Sequence, residues 1–195
     1  GGWDCDAGRA GFAACFCTRQ HHVGPVSSEP PDQVCVLREV RLEFPTKTGD
    51  DGATPTVEPL DRLVIMGQSG SGKSTILRLI LGILQPTDGQ IFFKQFEITR
   101  LQRRKLQQVR THIGMVYQYS ALLSSRNVRD NIALPLEEFT TKTNAEIDRI
   151  VDEKLELVGM IDSKSQMPSE LRGGMRKRVH LARALVMDPE LVLLD

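Results

Sequence analysis

Apolar and polar residues alternate from Val34 to Phe44 (Val34, Val36, then Val40, Leu42, Phe44), which predicts a half-buried antiparallel strand. Pro45 to Asp61 is punctuated by proline and glycine around Gly49-Asp50-Asp51-Gly52, loop chemistry with little room for a strand. The apolar run Leu63-Val64-Ile65-Met66 predicts a buried strand, and Ile76, Leu77, Leu79, Ile80 and Ile83 carry helical spacing through Thr75–Leu84. A turn at Pro86–Gly89 precedes a strand at Gln90–Phe93. A basic helix follows at Leu101–Arg110, with Arg103, Arg104, Lys105 and Arg110 on a solvated face, and then a strand at Ile113–Tyr117 ending at Gln118. From Asn127 the pattern turns helical. Thr143-x-x-Glu146 is a capping box, and it opens a helix with Ile147, Ile150, Val151, Leu155 and Val158 on one side. A second helix runs from Leu171 to Leu185, opened by Gly173-Gly174 and ended by Met187-Asp188-Pro189. The chain closes on an apolar strand, Leu191–Leu194, with Asp195 at its C-terminal edge. This order predicts an α/β fold: a parallel-cored sheet, an antiparallel β subdomain, and a helical subdomain at about 119–172.

Composition narrows the class. The 195 residues suffice for one α/β domain with a smaller subdomain. Lys plus Arg equals Asp plus Glu at 25 each, so no net field favours nucleic acid, and aromatics at 5% offer no base-stacking platform. No apolar run is long enough to cross a bilayer, so membrane association is expected only through a partner. Residues 1–33 read as a disordered tail or linker, with a targeting remnant as an alternative that Asp4 and Asp6 fit poorly. Cys15-x-Cys17 before His21-His22 lacks a second pair at zinc spacing and reads as coincidence. Cys35, in a strand-like run, reads as a core thiol, and a reducing compartment is the default. The chain starts Gly1-Gly2 without Met and stops directly after a strand, so a fragment is expected.

The chemistry concentrates at Gly67-Gln68-Ser69-Gly70-Ser71-Gly72-Lys73-Ser74, which fits the phosphate-loop pattern G-x-x-x-x-G-K-[ST] at every required position. Glycine lets the backbone turn with positive φ and approach a phosphate without a Cβ. The turned N–H groups form a nest for anionic oxygens. Lys73 supplies a point charge for the β/γ-phosphates, and the Ser74 hydroxyl is placed for Mg²⁺. A strand before the loop and a helix after it aim a positive helix N-terminus at the phosphate. Asp195, after four apolar residues, is the matching Walker-B magnesium position.

Gln118 ends a strand 45 residues after Lys73, Leu171-Arg172-Gly173-Gly174-Met175 precedes a basic helix, and Asp195 lies 24 residues beyond Leu171. Together these resemble the ATPase subunit of an ABC transporter, over roughly Val34 to Asp195, cut after the Walker-B strand. The resemblance implies ATP and Mg²⁺ as cofactors. It implies that Phe44 stacks on adenine and that Gly67 to Thr75 cradle the phosphates. Gln118 would touch Mg²⁺ and the attacking water, and Asp195 would hold the metal with Ser74 and Gln118. Lys73, Gln118 and Asp195 are the implied catalytic residues. Leu171, Arg172, Gly173, Gly174 and Met175 would face the γ-phosphate bound by a second ATPase subunit. Transmembrane permease subunits complete the implied assembly, with no nucleic acid involved. The implied place is peripheral, on the cytoplasmic face of an inner membrane, or on the stromal face of the chloroplast inner envelope for a plant or algal source.

Three departures from the family pattern stand out. Arg172 occupies the position of the serine in Leu-Ser-Gly-Gly, and impaired closure of the two-subunit sandwich is expected because the glycines imply tight backbone approach. Residues 54–62 lack the strand propensity of the family. The family's catalytic glutamate would be residue 196, so this stretch of chain is expected to bind ATP without efficient turnover. Gly173-Gly174-Met175-Arg176-Lys177-Arg178, with Ser120–Leu123 and Asn127–Leu136, is similar to the ATPases of Mla-type and chloroplast intermembrane lipid transporters. Lipid transport between membranes is thus the expected function. The alternatives are an importer of amino acids or other solutes, or a degenerate, non-hydrolysing nucleotide-binding partner.

Overall fold

The computed structural model describes residues 4–6, 14–18, 35–41, 56–57, 62–68, 70–118 and 121–195, with those before residue 57 as backbone only. The chain divides into two compact units, Gly1–Leu106 and Gln107–Asp195.

In the first unit, β1 (Asp4–Asp6), β2 (Ala14–Thr18) and β5 (Leu63–Gly67) form one sheet in the order β1-β2-β5. The stretch expected as a tail therefore contains two strands. The phosphate-loop strand β5, expected in a parallel core, pairs antiparallel with β2 from Ala14↔Gly67 to Thr18↔Leu63. The cause is non-local: β2 takes up the backbone donors and acceptors of β5, which local apolar content cannot foretell. Nor is β5 fully buried. Val64 and Met66 are 41% and 47% exposed, because alternate side chains of an edge strand point to opposite faces. A second, antiparallel sheet runs in the order β4-β3-β6-β7, from β3 (Cys35–Arg41), β4 (Thr56–Val57), β6 (Asp88–Phe93) and β7 (Phe96–Glu97). It confirms the antiparallel pairing expected near Val34–Phe44. It also places a two-residue strand, β4, in the stretch read as loop. Ile91 and Phe93 on β6 are buried and anchor this unit, together with Ile98 and the apolar face of α1 (Lys73–Ile80).

The unit boundary falls inside α2 (Arg103–Arg110), whose Arg103, Arg104 and Lys105 are exposed as expected while Leu106 and Val109 are buried. In the second unit β8 (Ile113–Val116) and β9 (Leu191–Leu194) pair in parallel, Ile113↔Leu191 through Val116↔Leu194. Among the described residues the expected parallel pairing is confined to these two strands. Leu193 is buried, but Val192 and Leu194, expected inside, are 37% and 66% exposed because one face of β9 has no cover among the described residues. α3 (Val128–Phe139), α4 (Asn144–Leu157) and α5 (Gly173–Leu185) pack around one core. That core includes Val128, Ile132, Leu136, Val151, Leu155 and Val179, each buried side chain contributing roughly 1.5–3 kcal/mol.

Local chemistry sets the helix starts. The Asn127 Oδ1 accepts from the Asp130 N–H at 2.8 Å and opens α3. The Thr143–Glu146 capping box is formed in both directions, and the two hydrogen bonds from Thr143 hold the Glu146 carboxyl below its usual range. Two contacts then fix β8 and β9 against the helices. A Cβ on Gly114 would come within 2.6 Å of the Ala184 carbonyl oxygen, so only glycine lets β8 approach α5 this closely. Lys154, buried on α4, donates to Asp188 at 2.6 Å, holding the turn that leads into β9. Asp188 has φ 48, a conformation that aspartate tolerates better than most residues.

Candidate nucleotide site

The first unit carries the phosphate loop as strand, turn and helix. β5 ends at Gly67, and α1 begins at Lys73 with Gly72 as its N-cap at φ 92, ψ 7. Gly70 also has positive φ, at 82. At both positions a side chain would strain the backbone, which explains the glycine spacing. No acidic residue lies in the first turn of α1, so its N-terminal dipole is left for an anion. The Lys73 ammonium folds back over the loop, donating to the Gln68 carbonyl at 2.7 Å and the Ser71 Oγ at 3.2 Å. A cation held over a glycine turn at a helix N-terminus fits a phosphate, whose oxygens would take over those lysine contacts. Ser74 and Thr75 are half-buried at the start of the helix. Ser69 and Phe44, both expected to meet the nucleotide, lie outside the described residues.

The second unit gathers Gln118 and Asp195 at one end of its parallel pair. The Asp195 N–H donates to the Val116 carbonyl at 2.9 Å, extending the ladder one residue past β9. Two residues beyond Val116, Gln118 is exposed, as is Asp195, so carboxylate and amide stand at the same C-terminal sheet edge. Their donor set, a carboxylate and an amide oxygen, is the hard oxygen chemistry that suits Mg²⁺. Next to Gln118 in the chain, Tyr117 stacks on His180 of α5, ring centroids 6.1 Å apart and 22° between planes. His180 is 1% exposed, and neither ring nitrogen has a hydrogen-bond partner among the described residues. Burial, helped by the charge of Arg183, pushes this imidazole down to about 4, so it is neutral at pH 7.

The Leu171–Met175 segment opens α5. Leu171 is buried in the helical core and anchors the segment, whereas Arg172, Gly173 and Gly174 are exposed and Met175 is half-buried. Arg172 is the N-cap residue, at φ −72, ψ 159, and its side chain makes no capping bond. A Cβ at Gly173 or Gly174 would meet nothing within 4 Å, so the open side of these glycines faces space that another molecule can enter. Arg176, Lys177 and Arg178 follow on exposed positions, reinforcing the positive end of the helix.

Residues 51–195 match the family described as ABC transporter. The chain belongs to the ABC transporter ATP-binding family. Among curated relatives of this family, a probable ribonucleotide transport ATP-binding protein mkl of Mycobacterium leprae is 45% identical over 132 residues, 68% of this chain and 38% of that protein. A methionine import ATP-binding protein MetN 1 of Rhodopseudomonas palustris is 40% identical over 176 residues, 87% of this chain and 47% of that protein. The chain thus spans less than half the length of these relatives. Among solved structures, cbiO1 from Clostridium perfringens, part of the ABC transporter complex cbiONQ, superposes with a TM-score of 0.72 at 26% identity, covering 84% of this chain and 65% of that one. The dimeric post-hydrolysis structure of the ATP-binding cassette MJ0796, bound to ADP and Pi, gives 0.67 at 26% identity over 83% and 73% of the two chains. These likenesses establish the ABC ATPase P-loop fold.

Two buried polar residues of the second unit escaped sequence reasoning. His180 sits in the apolar run Val179-His180-Leu181-Ala182, where a lone histidine was the available signal. Asn131 is buried in α3, and its amide donates to the carbonyls of Leu123, Arg126 and Asn127 while its Oδ1 accepts from the Leu123 N–H. It pins the chain that follows Gln118.

Proposed function

We propose that this chain is the ATP-binding part of an ABC importer subunit, one that binds MgATP, dimerises around it and drives a membrane permease. The observation that carries the reading is the phosphate loop: two left-handed glycines and a lysine held over the loop at the start of α1. Gly67 to Thr75 hold the phosphates, with Lys73 supplying charge. Ser74 of the first unit and Gln118 and Asp195 of the second are the residues that would hold Mg²⁺, which would supply charge neutralisation for the β- and γ-oxygens. Gln118 orients the attacking water, Phe44 stacks on adenine, and Leu171–Met175 serve the nucleotide of the second subunit. The ADP and Pi in a dimeric structural neighbour support this chemistry. No helix among the described residues is long and apolar enough to cross a membrane, which fits peripheral attachment through a permease. A cleft of about 280 Å³ in the second unit, lined in part by Met115, Pro135, Phe139 and Met187, offers apolar surface for such a partner.

Import of a small solute is favoured over lipid transport. The relatives named for ribonucleotide transport and methionine import support it, whereas the lipid reading rests on Gly173–Arg178, Ser120–Leu123 and the Asn127–Leu136 run. Isolation of the full-length protein with its membrane partners tests the choice. A permease with a solute-binding protein, and ATP hydrolysis stimulated by a ribonucleotide or an amino acid, is expected. Stimulation by phospholipid instead would overturn it.

Arg172 sets the rate in this reading. A charged, bulky N-cap at the glycine face hinders the approach of the second subunit's nucleotide. In the full-length protein Arg172→Ser is expected to raise ATP turnover about tenfold, a barrier change of ~1.4 kcal/mol. It is also expected to stabilise α5 by about 1 kcal/mol through a capping hydroxyl. Turnover equal to or below that of the parent would show that Arg172 does not obstruct closure.

A further inference from the structure

His180 stands where two parts of the nucleotide machinery meet. It lies on α5, the helix that begins with Gly173, and its ring covers Tyr117, the residue between β8 and Gln118. Val179 and Ala182 on the same helix are buried in the three-helix core, so the helix is fixed on one side while His180 reaches the strand end. At the strand end the Asp195 N–H donates to the Val116 carbonyl. Beyond Val116, Tyr117 is 39% exposed. An imidazole with two unpartnered nitrogens is a poor choice for pure packing, since an aliphatic side chain would fill the space without burying polar atoms. What the ring supplies is a flat face for Tyr117.

We propose that His180 is a positioning residue: its ring, stacked on Tyr117, holds Gln118 beside Asp195 and ties that position to the helix carrying Leu171–Met175. Displacement of α5 at its glycine end then reaches Gln118 through one aromatic contact. The inference rests on the reading of Gln118 as a residue that orients water and metal. A residue acting in that way governs the chemical step more than the affinity for ATP.

The test uses the full-length protein with its partner subunits. His180→Ala is expected to lower kcat for ATP at least tenfold with KM changed less than twofold, and to speed amide exchange at Val116–Gln118 about tenfold. His180→Phe, which keeps a flat ring and removes both nitrogens, is expected to restore both readouts. Tyr117→Leu, a change at a partly exposed site, is expected to repeat the His180→Ala result if that variant does not fold. Combined with Gln118→Ala, the loss of kcat is expected not to deepen further. Parental exchange at Gln118 in folded His180→Ala or Tyr117→Leu would overturn the proposal, as would failure of folded His180→Phe to restore it. Absence of ATPase activity in the parent protein would refute the ATPase reading instead, and the exchange measurement would then decide this inference alone.

Discussion

Lys73→Ala is expected to leave the full-length protein folded and to weaken MgATP binding roughly 100-fold, about 3 kcal/mol, as expected for a charge-assisted contact to phosphate. Two observations separate the binding effect from a folding effect. The Lys73 ammonium donates to the Gln68 carbonyl and the Ser71 hydroxyl, both within the loop itself. The buried face of α1 is built from Ile76, Leu77, Leu79 and Ile80, which the substitution does not touch. Thermal unfolding should therefore move by no more than the ~1 kcal/mol of a half-exposed hydrogen-bonded group. Titration calorimetry with MgATP checks the affinity. An unchanged Kd would mean that the cradle of Gly70, Gly72 and the α1 N-terminus works without the lysine charge. Lys73→Arg gives an intermediate case: it keeps the charge, but a planar fork cannot fold over the loop as a point donor does.

The parts of this site legible in the sequence are those whose physics is local. Positive φ at Gly70 and Gly72 follows from the loop pattern, and the Thr143–Glu146 box follows from two residues three apart. Burial and pairing are decided elsewhere in the chain. The run Leu63–Met66 looks like any buried strand, yet its antiparallel partner is Ala14–Thr18, a segment without periodicity of its own. Leu191–Leu194 is uniformly apolar, yet only Leu193 is buried among its residues, because cover comes to one face. Polar residues mislead in the opposite sense. Lys154 and His180 are polar residues on helices and yet buried, because Asp188 compensates the first and the Tyr117 ring accommodates the second. Neither partner is near in sequence, so neither could be read from spacing.

Asn131 gives the sharpest stability test of that distinction. Its side chain is fully buried: Oδ1 accepts from the Leu123 N–H at 2.8 Å, and the two amide hydrogens are shared among the carbonyls of Leu123, Arg126 and Asn127 at 3.1, 2.8 and 2.9 Å. Alanine removes these contacts, but the carbonyls of Leu123 and Asn127 still accept from the backbone N–H groups of Arg126 and Asn131, so the loss falls on the Leu123 N–H and the Arg126 carbonyl. Leu123 is partly exposed and Arg126 half-buried, so water recovers some of the loss. With ~1–3 kcal/mol for each group left unsatisfied in the interior, Asn131→Ala is expected to cost about 3 kcal/mol. For a chain of this size that corresponds to a fall in Tm of roughly 6–12 °C. Asn131→Asp is expected to cost at least as much. The carboxylate keeps the acceptor for the Leu123 N–H but turns its second oxygen toward three carbonyl oxygens, and a buried charge without a donor is worse than a missing one. A denaturant series on the parent and the two variants decides. A loss below 1 kcal/mol for alanine, or an aspartate variant more stable than the alanine one, would show that the segment from Leu123 to Asn127 is held by its own backbone. Proteolysis offers an independent check, because release of that segment from α3 should open cleavage between Leu123 and Asn127 before the three-helix core unfolds.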